Sequence, residues 1–323
     1  MSSVTDSVDA SAGSGRVLDQ AAFRRNQLRH FWLLTAGPAL VGIPTLAFVR
    51  PTSIDLALLS LFWMLTAVGV TCGLHRLFSH RSFKPKEPLR DVLAVLASMA
   101  GEGPPIAWAV FHRRHHELSD RSGDPHSPHG HGPGAMGLAR GLLHSAFTWM
   151  HSHEVPNPVI YAPDLLADKR LVAINQRYYW WVALGAAAPA AIGGLATLSW
   201  TGALTGFLWG WAVRALLLNG MIGFVNGFNH VWGSRAFATR DHSRNMPWLA
   251  LPTLGECWHN NHHAFPNSAD MSLGQHRFDL GYQLIRLWRA LGLVGDITVP
   301  SPQRVERRRT LDRQIPDDTL LGR

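Results

Sequence analysis

The sequence predicts an all-α membrane protein in which four transmembrane helices form two hairpins beneath a helical cap on one side of the membrane. Three observations favour this fold class. Only 16 % of the 323 residues are charged, well below the roughly 25 % of a typical soluble domain. Long apolar segments occur in two pairs, and short clusters of histidines follow the second segment of each pair.

The apolar segments are long enough to cross a lipid bilayer. Residues 31–49 and 56–74 contain no charged side chain, and residues 178–200 and 202–225 contain only Arg214. A membrane-spanning helix needs about 20 predominantly apolar residues. We therefore predict four spans at these positions, with a short connection inside each pair.

The basic residues are distributed unevenly about these spans. The formal net charge is +8 and the sequence pI is about 10.3, and nearly all Lys and Arg fall before the first span, between the second and third, or after the fourth. The positive-inside rule makes that side cytoplasmic, with both termini on it. A basic pI therefore does not require nucleic acid, and we expect no nucleic-acid partner.

The cysteines, the first apolar segment and a later amphipathic segment further narrow the class of protein. The cysteines Cys72 and Cys257 lie on or near the expected cytoplasmic side, which argues against a disulfide framework. The first apolar segment has full span length and does not follow the pattern of a signal peptide. Residues 282–295 have a broad apolar face, so this segment either lies in the membrane interface or packs on the cap.

The chain is expected to form one membrane domain with extensions at both ends. Residues 1–28 begin with a small, polar stretch and are expected to be disordered. Residues 29–300 should form the membrane domain. Residues 301–323 are rich in charge and are expected to be a solvated tail.

The histidines are clustered at repeated spacings. Two clusters have the spacing i, i+3, i+4, which puts three side chains on one face of a helix. Because two crossings separate the clusters, all of them return to the same membrane face. A chance cluster in a surface turn is the alternative for any one of them. The clusters are His75 and His80; His112, His115 and His116; Asn226 and His230; and His259, His262 and His263.

Histidines in this number point to metal binding, because imidazole is the commonest metal-ligand side chain. Nine nitrogens exceed the four that one zinc takes and suit two metals of the iron type with octahedral or five-coordinate geometry. The absence of cysteine ligands argues against iron–sulfur and structural zinc sites. Open positions on such metals would let O₂ bind and attack an unactivated C–H bond, which side chains alone cannot do.

At this point the motifs resemble those of a known family. HRLFSH at 75–80, HRRHH at 112–116, NGFNH at 226–230 and WHNNHH at 258–263 are similar to the motif set of membrane acyl-CoA desaturases of the stearoyl-CoA delta-9 type. The resemblance runs from about residue 55 to 297 and includes GDPH at 123–126. Four residues separate the histidines of the first motif, where membrane alkane hydroxylases and sterol-type hydroxylases typically carry three.

The resemblance implies a non-haem diiron centre that uses O₂ and two electrons per turnover. The implied product is a cis double bond, commonly between carbons 9 and 10, in an acyl-CoA or related thioester held in an apolar tunnel. Electrons would come from a separate ferredoxin, flavoprotein reductase or cytochrome b5-like protein. Membrane lipids would surround the spans.

The resemblance also implies a set of site residues. Asn226 would approach a metal through a water molecule. Four residues are expected beside the ligands or at the substrate headgroup: Asp124, His126, Arg113 and Trp258. The implied metal ligands are His75, His80, His112, His115, His116, His230, His259, His262 and His263.

Two alternatives remain at this point. A hydroxylase or ketolase could use the same scaffold and would differ in whether oxygen is added to carbon. A non-catalytic membrane metal carrier or sensor would need ionisable residues along the spans, where only Arg214 occurs. The additional histidines His129 and His131, in a Gly- and Pro-rich segment, are expected to be exposed loop residues rather than ligands.

Overall fold

The computed structural model describes residues 15–18, 21–152, 154–274 and 278–312. In this part of the chain, four helices are long and apolar enough to cross a membrane, and the described residues are mostly helical. The predicted fold class of a four-span helical membrane protein with a histidine-rich cluster is therefore confirmed. The spans are Phe23–Phe48, Ser53–Ser79, Tyr178–Thr197 and Trp200–Phe228.

Three of the spans extend beyond the apolar segments that predicted them. The second was expected to end at residue 74 but continues to Ser79, and the fourth was expected to end at residue 225 but continues to Phe228. The first begins at Phe23 rather than residue 31. Apolarity marks only the lipid-facing part of each helix, whereas the helices run on into the cap and carry polar side chains there.

The end of the second span is wound more widely than an α-helix. An α-helix over Ser53–Val68 passes into a π-helix over Gly69–Ser79. The backbone N–H of His80 donates to the carbonyl of His75 at 3.2 Å, which is the five-residue hydrogen bond of a π turn. Both histidines of the first motif are therefore held by this turn.

Two local features shape the hairpins: a helix cap at the start of the second span and glycines between the third and fourth spans. Thr52 caps the second span through a reciprocal pair of hydrogen bonds with Asp55, the capping box expected of this pair of residues. Gly193 and Gly202 let the third and fourth spans approach closely, because a Cβ on Gly193 would lie 2.4 Å from the Gly202 carbonyl oxygen. Small residues commonly permit such contact between membrane helices.

Shorter elements build the cap on the ends of the spans. Phe83–Pro85 and Val294–Ile297 form one antiparallel strand pair, and Val17–Leu18 and Val155–Pro156 form another. Helices Glu87–Ala100 and Pro105–Leu118 meet at a bend of 82°. Ala21–His30 leads into the first span. The other α-helices of the cap are Gly134–Leu143, Trp149–Ser152, Pro158–Tyr161, Pro163–Leu166, Lys169–Gln176, His259–Ala264, Leu280–Ala290 and Pro302–Asp312. A π-helix over His144–Thr148 and a 3-10 helix over Pro247–Leu249 also occur there.

Both ends of the domain differ from expectation. Residues 21–28 are helical rather than disordered, and residues 302–312 form a helix whose Val305 is only 6 % exposed against Phe237 and Phe265. The single buried valine in a charged sequence gave too weak an apolar pattern to predict this contact. The rest of the predicted disorder at 1–14 and 19–20, and of the predicted tail at 313–323, lies outside the described residues.

The helix within the predicted interfacial segment packs on the cap, which was one of its two expected positions, whereas a position in the membrane interface stays a prediction. In Leu280–Ala290, Ile285 is fully buried in the core of the cap. Leu287 on the same helix and Leu291 just after it remain more than half exposed. One side of this helix therefore packs on the cap and another leaves apolar side chains uncovered.

Candidate metal centre

All nine sequence-predicted histidines meet in the cap, in two groups. Within each group the ligand nitrogens all lie within 4.8 Å of one another. The five-histidine group is His75, His80, His112, His116 and His262, and the four-histidine group is His115, His230, His259 and His263.

Each i, i+3, i+4 motif contributes to both groups. On helix Pro105–Leu118, His112 and His116 face the five-histidine group while His115 faces the other. On helix His259–Ala264 the division is reversed, since His262 alone joins the five-histidine group. Two short helices thus hold the groups side by side.

The nitrogen spacings fit metal coordination. Adjacent Nε2 atoms in the five-histidine group are 2.8–3.0 Å apart, and those joining His259 to His230 and His263 are 2.9 and 3.1 Å apart. Two nitrogens about 2.1 Å from one ion are about 3.0 Å apart at a right angle and about 3.4 Å apart in a tetrahedron. The spacings therefore favour the right angles of octahedral or five-coordinate sites.

Four histidines are oriented by carboxylates on their other ring nitrogen. Because Nδ1 of each ring donates to a carboxylate, Nε2 of the neutral ring keeps its lone pair for a metal. The pairs are His75 with Glu256, His115 with Asp124 at 2.9 Å, His230 with Asp120 at 2.8 Å, and His263 with Asp241 at 2.9 Å.

The protonation states of these groups suit metal binding. Burial tends to raise the pKa of Asp120 and Asp241, but the paired histidines outweigh it and hold each pKa well below its usual range. For Asp124 the same balance, set by His115, lowers the pKa to about 2. Burial, with neighbouring imidazoles adding to it, lowers the pKa of His112 and His262 well below the usual value. These shifts favour neutral imidazoles at His112 and His262 and ionised carboxylates at Asp120, Asp124 and Asp241, whereas the pKa of His230 is raised because the charge of Asp120 outweighs the effect of burial.

The donor set fits two divalent ions. Nε2 of His115 is buried and has no hydrogen-bond partner among the described residues, while its Nδ1 is held by Asp124. A metal ion would satisfy that lone pair. The charges also match, because the four carboxylates that hold histidines could balance the positive charge of two divalent ions. One of the four, Glu256, also contacts the buried Arg76, but Asp279 pairs with this arginine as well.

Three of the four carboxylates were not predicted from the sequence. Asp120, Asp241 and Glu256 lie outside the motifs, and no spacing distinguishes them from other acidic residues. Asp120 is four residues from the motif residue Asp124, and Glu256 is three residues before His259, which is a weak signal at most. Carboxylates that orient histidines in this way can be identified only from the three-dimensional structure, in which the fold brings them next to the imidazole rings.

The other predicted residues take varied positions. His126 stacks on His115, with ring centroids 4.3 Å apart, and Asn226 lines a cavity beside His112. Arg113 donates to the carbonyls of Phe78 and Ser79 and to Asp164, so it holds the end of the first motif. Trp258 is buried and donates to the Phe278 carbonyl at 3.0 Å. Their predicted roles toward metal or substrate stay predictions.

The extra histidines belong to neither group. His129 is partly exposed and its Nε2 donates to the His230 carbonyl at 3.0 Å, while His131 reaches the Ser127 carbonyl at 3.2 Å. Both support the loop that follows Asp124. Both side chains are only partly exposed, rather than exposed as expected, and their exclusion from the ligand set stays a prediction.

A cavity of about 300 Å³ opens beside the five-histidine group. Trp108, Phe111 and Trp149 form part of its apolar wall, and His112 forms the end next to the other histidines. The Trp108 ring stacks on the His112 ring with centroids 4.8 Å apart. An apolar ligand in this cavity would therefore lie next to the histidines.

Four spans, two buried histidine groups and an adjoining apolar cavity are features of histidine-rich membrane oxidoreductases that act on apolar substrates. Comparison with protein families makes the class specific. Residues 51–286 match the family model for fatty acid desaturase. The chain belongs to the fatty acid desaturase family, as the motifs predicted, and this membership supports its assignment as an oxidoreductase.

Individual relatives cover most of the chain. It is 42 % identical over 288 residues to a hex-5-enoyl-[acyl-carrier protein] acetylenase of Moorena producens, a match that covers 88 % of this chain and 90 % of the relative. It is 33 % identical over 250 residues to delta-9 acyl-lipid desaturase 2 of Arabidopsis thaliana, with 77 % and 76 % covered. Delta-9 desaturase-like 4 protein of the same plant is 35 % identical, with 73 % and 74 % covered.

Proposed function

We propose that the protein is an O₂-dependent fatty acyl desaturase that introduces a cis double bond into a saturated acyl thioester. One observation carries the proposal: nine histidines, four of them oriented by carboxylates, form two groups beside an apolar cavity in a chain of the fatty acid desaturase family. We further propose carbons 9 and 10 as the site of the double bond.

The nine histidines would hold two irons, and Asn226 would reach one of them through a water molecule. When bound, a non-haem diiron centre supplies the activation of O₂ and the removal of hydrogen from an unactivated methylene. The protein's own contribution is to position the acyl chain and to exclude water from it. Trp108 and Trp149 would press the acyl chain against the histidine end of the cavity, and their indoles would exclude water from the reacting carbons.

The names of the relatives indicate which chemical forms of acyl substrate to consider. The Moorena producens relative is named for an acyl-carrier-protein substrate, and delta-9 acyl-lipid desaturase 2 of Arabidopsis thaliana is named for acyl lipids. We propose a thioester, on either CoA or a carrier protein. The identity of 42 % to an acetylenase favours a second candidate reaction, in which the same site oxidises an existing double bond to a triple bond.

The proposed site faces the cytoplasm. The basic residues between the second and third spans and after the fourth support this orientation by the positive-inside rule. A separate ferredoxin, flavoprotein reductase or cytochrome b5-like protein would deliver electrons there. In contrast, a metal carrier is disfavoured because Arg214 donates to the Ala100 and Met99 carbonyls, which is a structural use of the charge.

The first experiment is a product analysis in a desaturase-deficient host that also expresses a compatible reductase. Fatty acids from cells with the wild-type protein, the His262→Ala variant and a His131→Ala control are compared by gas chromatography and mass spectrometry. We expect a new monounsaturated acid with the wild type and His131→Ala, and none with His262→Ala. A hydroxy or keto acid would instead assign a hydroxylase or ketolase, and an acid with a triple bond would assign an acetylenase.

The same variants separate a missing partner from a wrong mechanism. Purified protein is assayed for bound iron, and acyl-CoA and acyl-carrier-protein substrates are compared with a supplied electron donor. Two irons without product would direct the search to the donor. Failure to bind iron under conditions in which the protein is folded would contradict the diiron proposal.

A further inference from the structure

Several polar side chains line the cavity beside the five-histidine group, among them Gln27, His30 and Glu102. Gln27 and His30 lie one turn apart on the first span, so they share one face of the helix. Glu102 lies in the bend between the helices that meet at 82°. Two distant parts of the chain thus bring these polar groups to one cavity.

The polar atoms of these side chains lack partners in the described protein. Oε1 and Nε2 of Gln27, Nε2 of His30 and Oε1 of Glu102 are buried, and none has a hydrogen bond to a described residue. Native proteins leave few buried polar atoms in this condition, because each forgoes the hydrogen bonds that water would give it. Three such side chains in one cavity indicate a ligand that forms hydrogen bonds.

The surrounding groups hold this part of the cavity in place. The His30 ring stacks on the Tyr178 ring with centroids 5.8 Å apart. The backbone N–H of Gly103 donates to the Tyr178 hydroxyl at 3.1 Å. Tyr178 therefore connects the helix that carries His30 to the bend that carries Glu102.

The cationic groups near these side chains have contacts within the protein. Arg29, which also lines the cavity, stands over the Tyr179 ring with its guanidinium carbon 5.1 Å from the centroid. Arg214 lies near Glu102, but its guanidinium donates to the carbonyls of Ala100 and Met99 at 2.8 and 3.2 Å. Burial raises the pKa of the Glu102 carboxyl to about 8, with a smaller opposing effect of Arg214. The carboxyl is therefore mostly protonated at neutral pH and can both donate and accept a hydrogen bond.

We propose that Gln27, His30 and Glu102 form a subsite for an uncharged hydrogen-bonding group of the substrate, namely a carbonyl, amide or hydroxyl. The inference rests on the proposed function, in which this cavity holds the acyl substrate. A methylene chain has no donor or acceptor to offer these side chains. The group could belong to the thioester and amides of the carrier's arm or to an oxygen substituent on the acyl chain.

Ligand binding without turnover tests the subsite. The full-length protein in detergent is titrated with octanoyl-pantetheine, methyl octanoate and methyl 3-hydroxyoctanoate, and binding is followed by tryptophan fluorescence, since Trp108 and Trp149 line the cavity. The variants are Gln27→Leu, Glu102→Leu and Glu102→Gln. Gln283→Leu is the matched control, because Gln283 is an exposed glutamine on a cap helix. Thermal unfolding confirms that each variant is folded.

A preference of the wild type for octanoyl-pantetheine over methyl octanoate by about tenfold, the effect of roughly one hydrogen bond, would assign the subsite to the carrier's arm. A similar preference for the hydroxy ester would assign it to an oxygenated chain. The preference should disappear in Gln27→Leu and Glu102→Leu and persist in Glu102→Gln and the control.

Because all three probes carry a carbonyl, equal binding by the wild type that weakens in both leucine variants would assign the subsite to that carbonyl. Binding of all three probes that neither leucine variant changes would overturn the proposal, as would a preference that survives both leucine variants. The side chains would then be solvated by water alone. Because no turnover is measured, the result is independent of the proposed reaction. Absence of a desaturated product together with an intact binding preference would count against the reaction and leave the subsite standing.

Discussion

Asp120 holds one ligand of the four-histidine group, so its removal should weaken one metal site and spare the other. Its Oδ2 accepts hydrogen bonds from Nδ1 of His230 at 2.8 Å and from the backbone N–H of His242 at 2.7 Å. Its Oδ1 accepts from the Ser127 hydroxyl at 2.8 Å. The Asp120→Ala variant removes the acceptor for all three donors and leaves the five-histidine group untouched.

The size of the effect follows from these contacts. Loss of a carboxylate that orients a ligand typically costs 10–100-fold in metal affinity, or about 1.4–2.7 kcal/mol. We expect about 100-fold for Asp120→Ala, because Asp120 is buried and the His230 ring would be free to turn or change tautomer. We expect about 10-fold for Asp120→Asn, because an amide oxygen still accepts from His230 but carries no charge.

The assay is a chelator titration of the metal-loaded, full-length protein, with bound metal counted by mass spectrometry. In Asp120→Ala, one metal per chain should leave at about 100-fold higher free metal than in the wild type, and the other should leave at the wild-type midpoint. Asp296→Asn is the control, since its contact with Lys84 is exposed. Simultaneous loss of both metals would refute the division into two sites, and a wild-type midpoint for both would refute the role of Asp120 in orienting His230.

Three further predictions concern stability in detergent. Removal of the metals should lower the melting temperature, since a ligand present at about 1,000 times its Kd stabilises the folded state by about 4 kcal/mol. An unchanged melting temperature would contradict metal binding by the folded state. Gly141→Ala should destabilise by about 1–3 kcal/mol, because its Cβ would lie 1.8 Å from the Pro128 carbonyl oxygen. Gly220→Ala, with open space around it, should be neutral or slightly stabilising. Val305→Ala should cost about 1.5 kcal/mol for two buried methyl-sized groups without loss of metal, and an unchanged melting temperature would contradict the docking of the C-terminal helix.

The sequence predicted the spans and the histidine groups for different physical reasons. Span prediction succeeds because lipid contact demands uninterrupted apolarity, and Leu40 and Leu195 are indeed more than two-thirds exposed on their helices. The histidines were found because their spacing is local and repeats. Topology then required all of them to meet on one face of the membrane.

What the sequence could not provide depends on contacts between distant segments. Glu256 meets His75 across 181 positions of the chain, and Asp120 meets His230 across 110. Single acidic residues leave no pattern at such separations. The same holds for Val305, whose burial depends on Phe237 and Phe265 rather than on its own neighbours.

The π turn that ends the second span ties the length of the first motif to the winding of the helix. Five residues along an α-helix would turn His80 about 140° away from His75, whereas the wider winding of the π turn reduces this angle, and the two rings lie with their centroids 5.0 Å apart. A motif with one residue fewer would have the i, i+4 spacing, at which ordinary α winding already puts both side chains on one face. A search for related sites should therefore treat the five-residue interval as a sign of helical winding, and a gap allowed inside it would align helices that are wound differently.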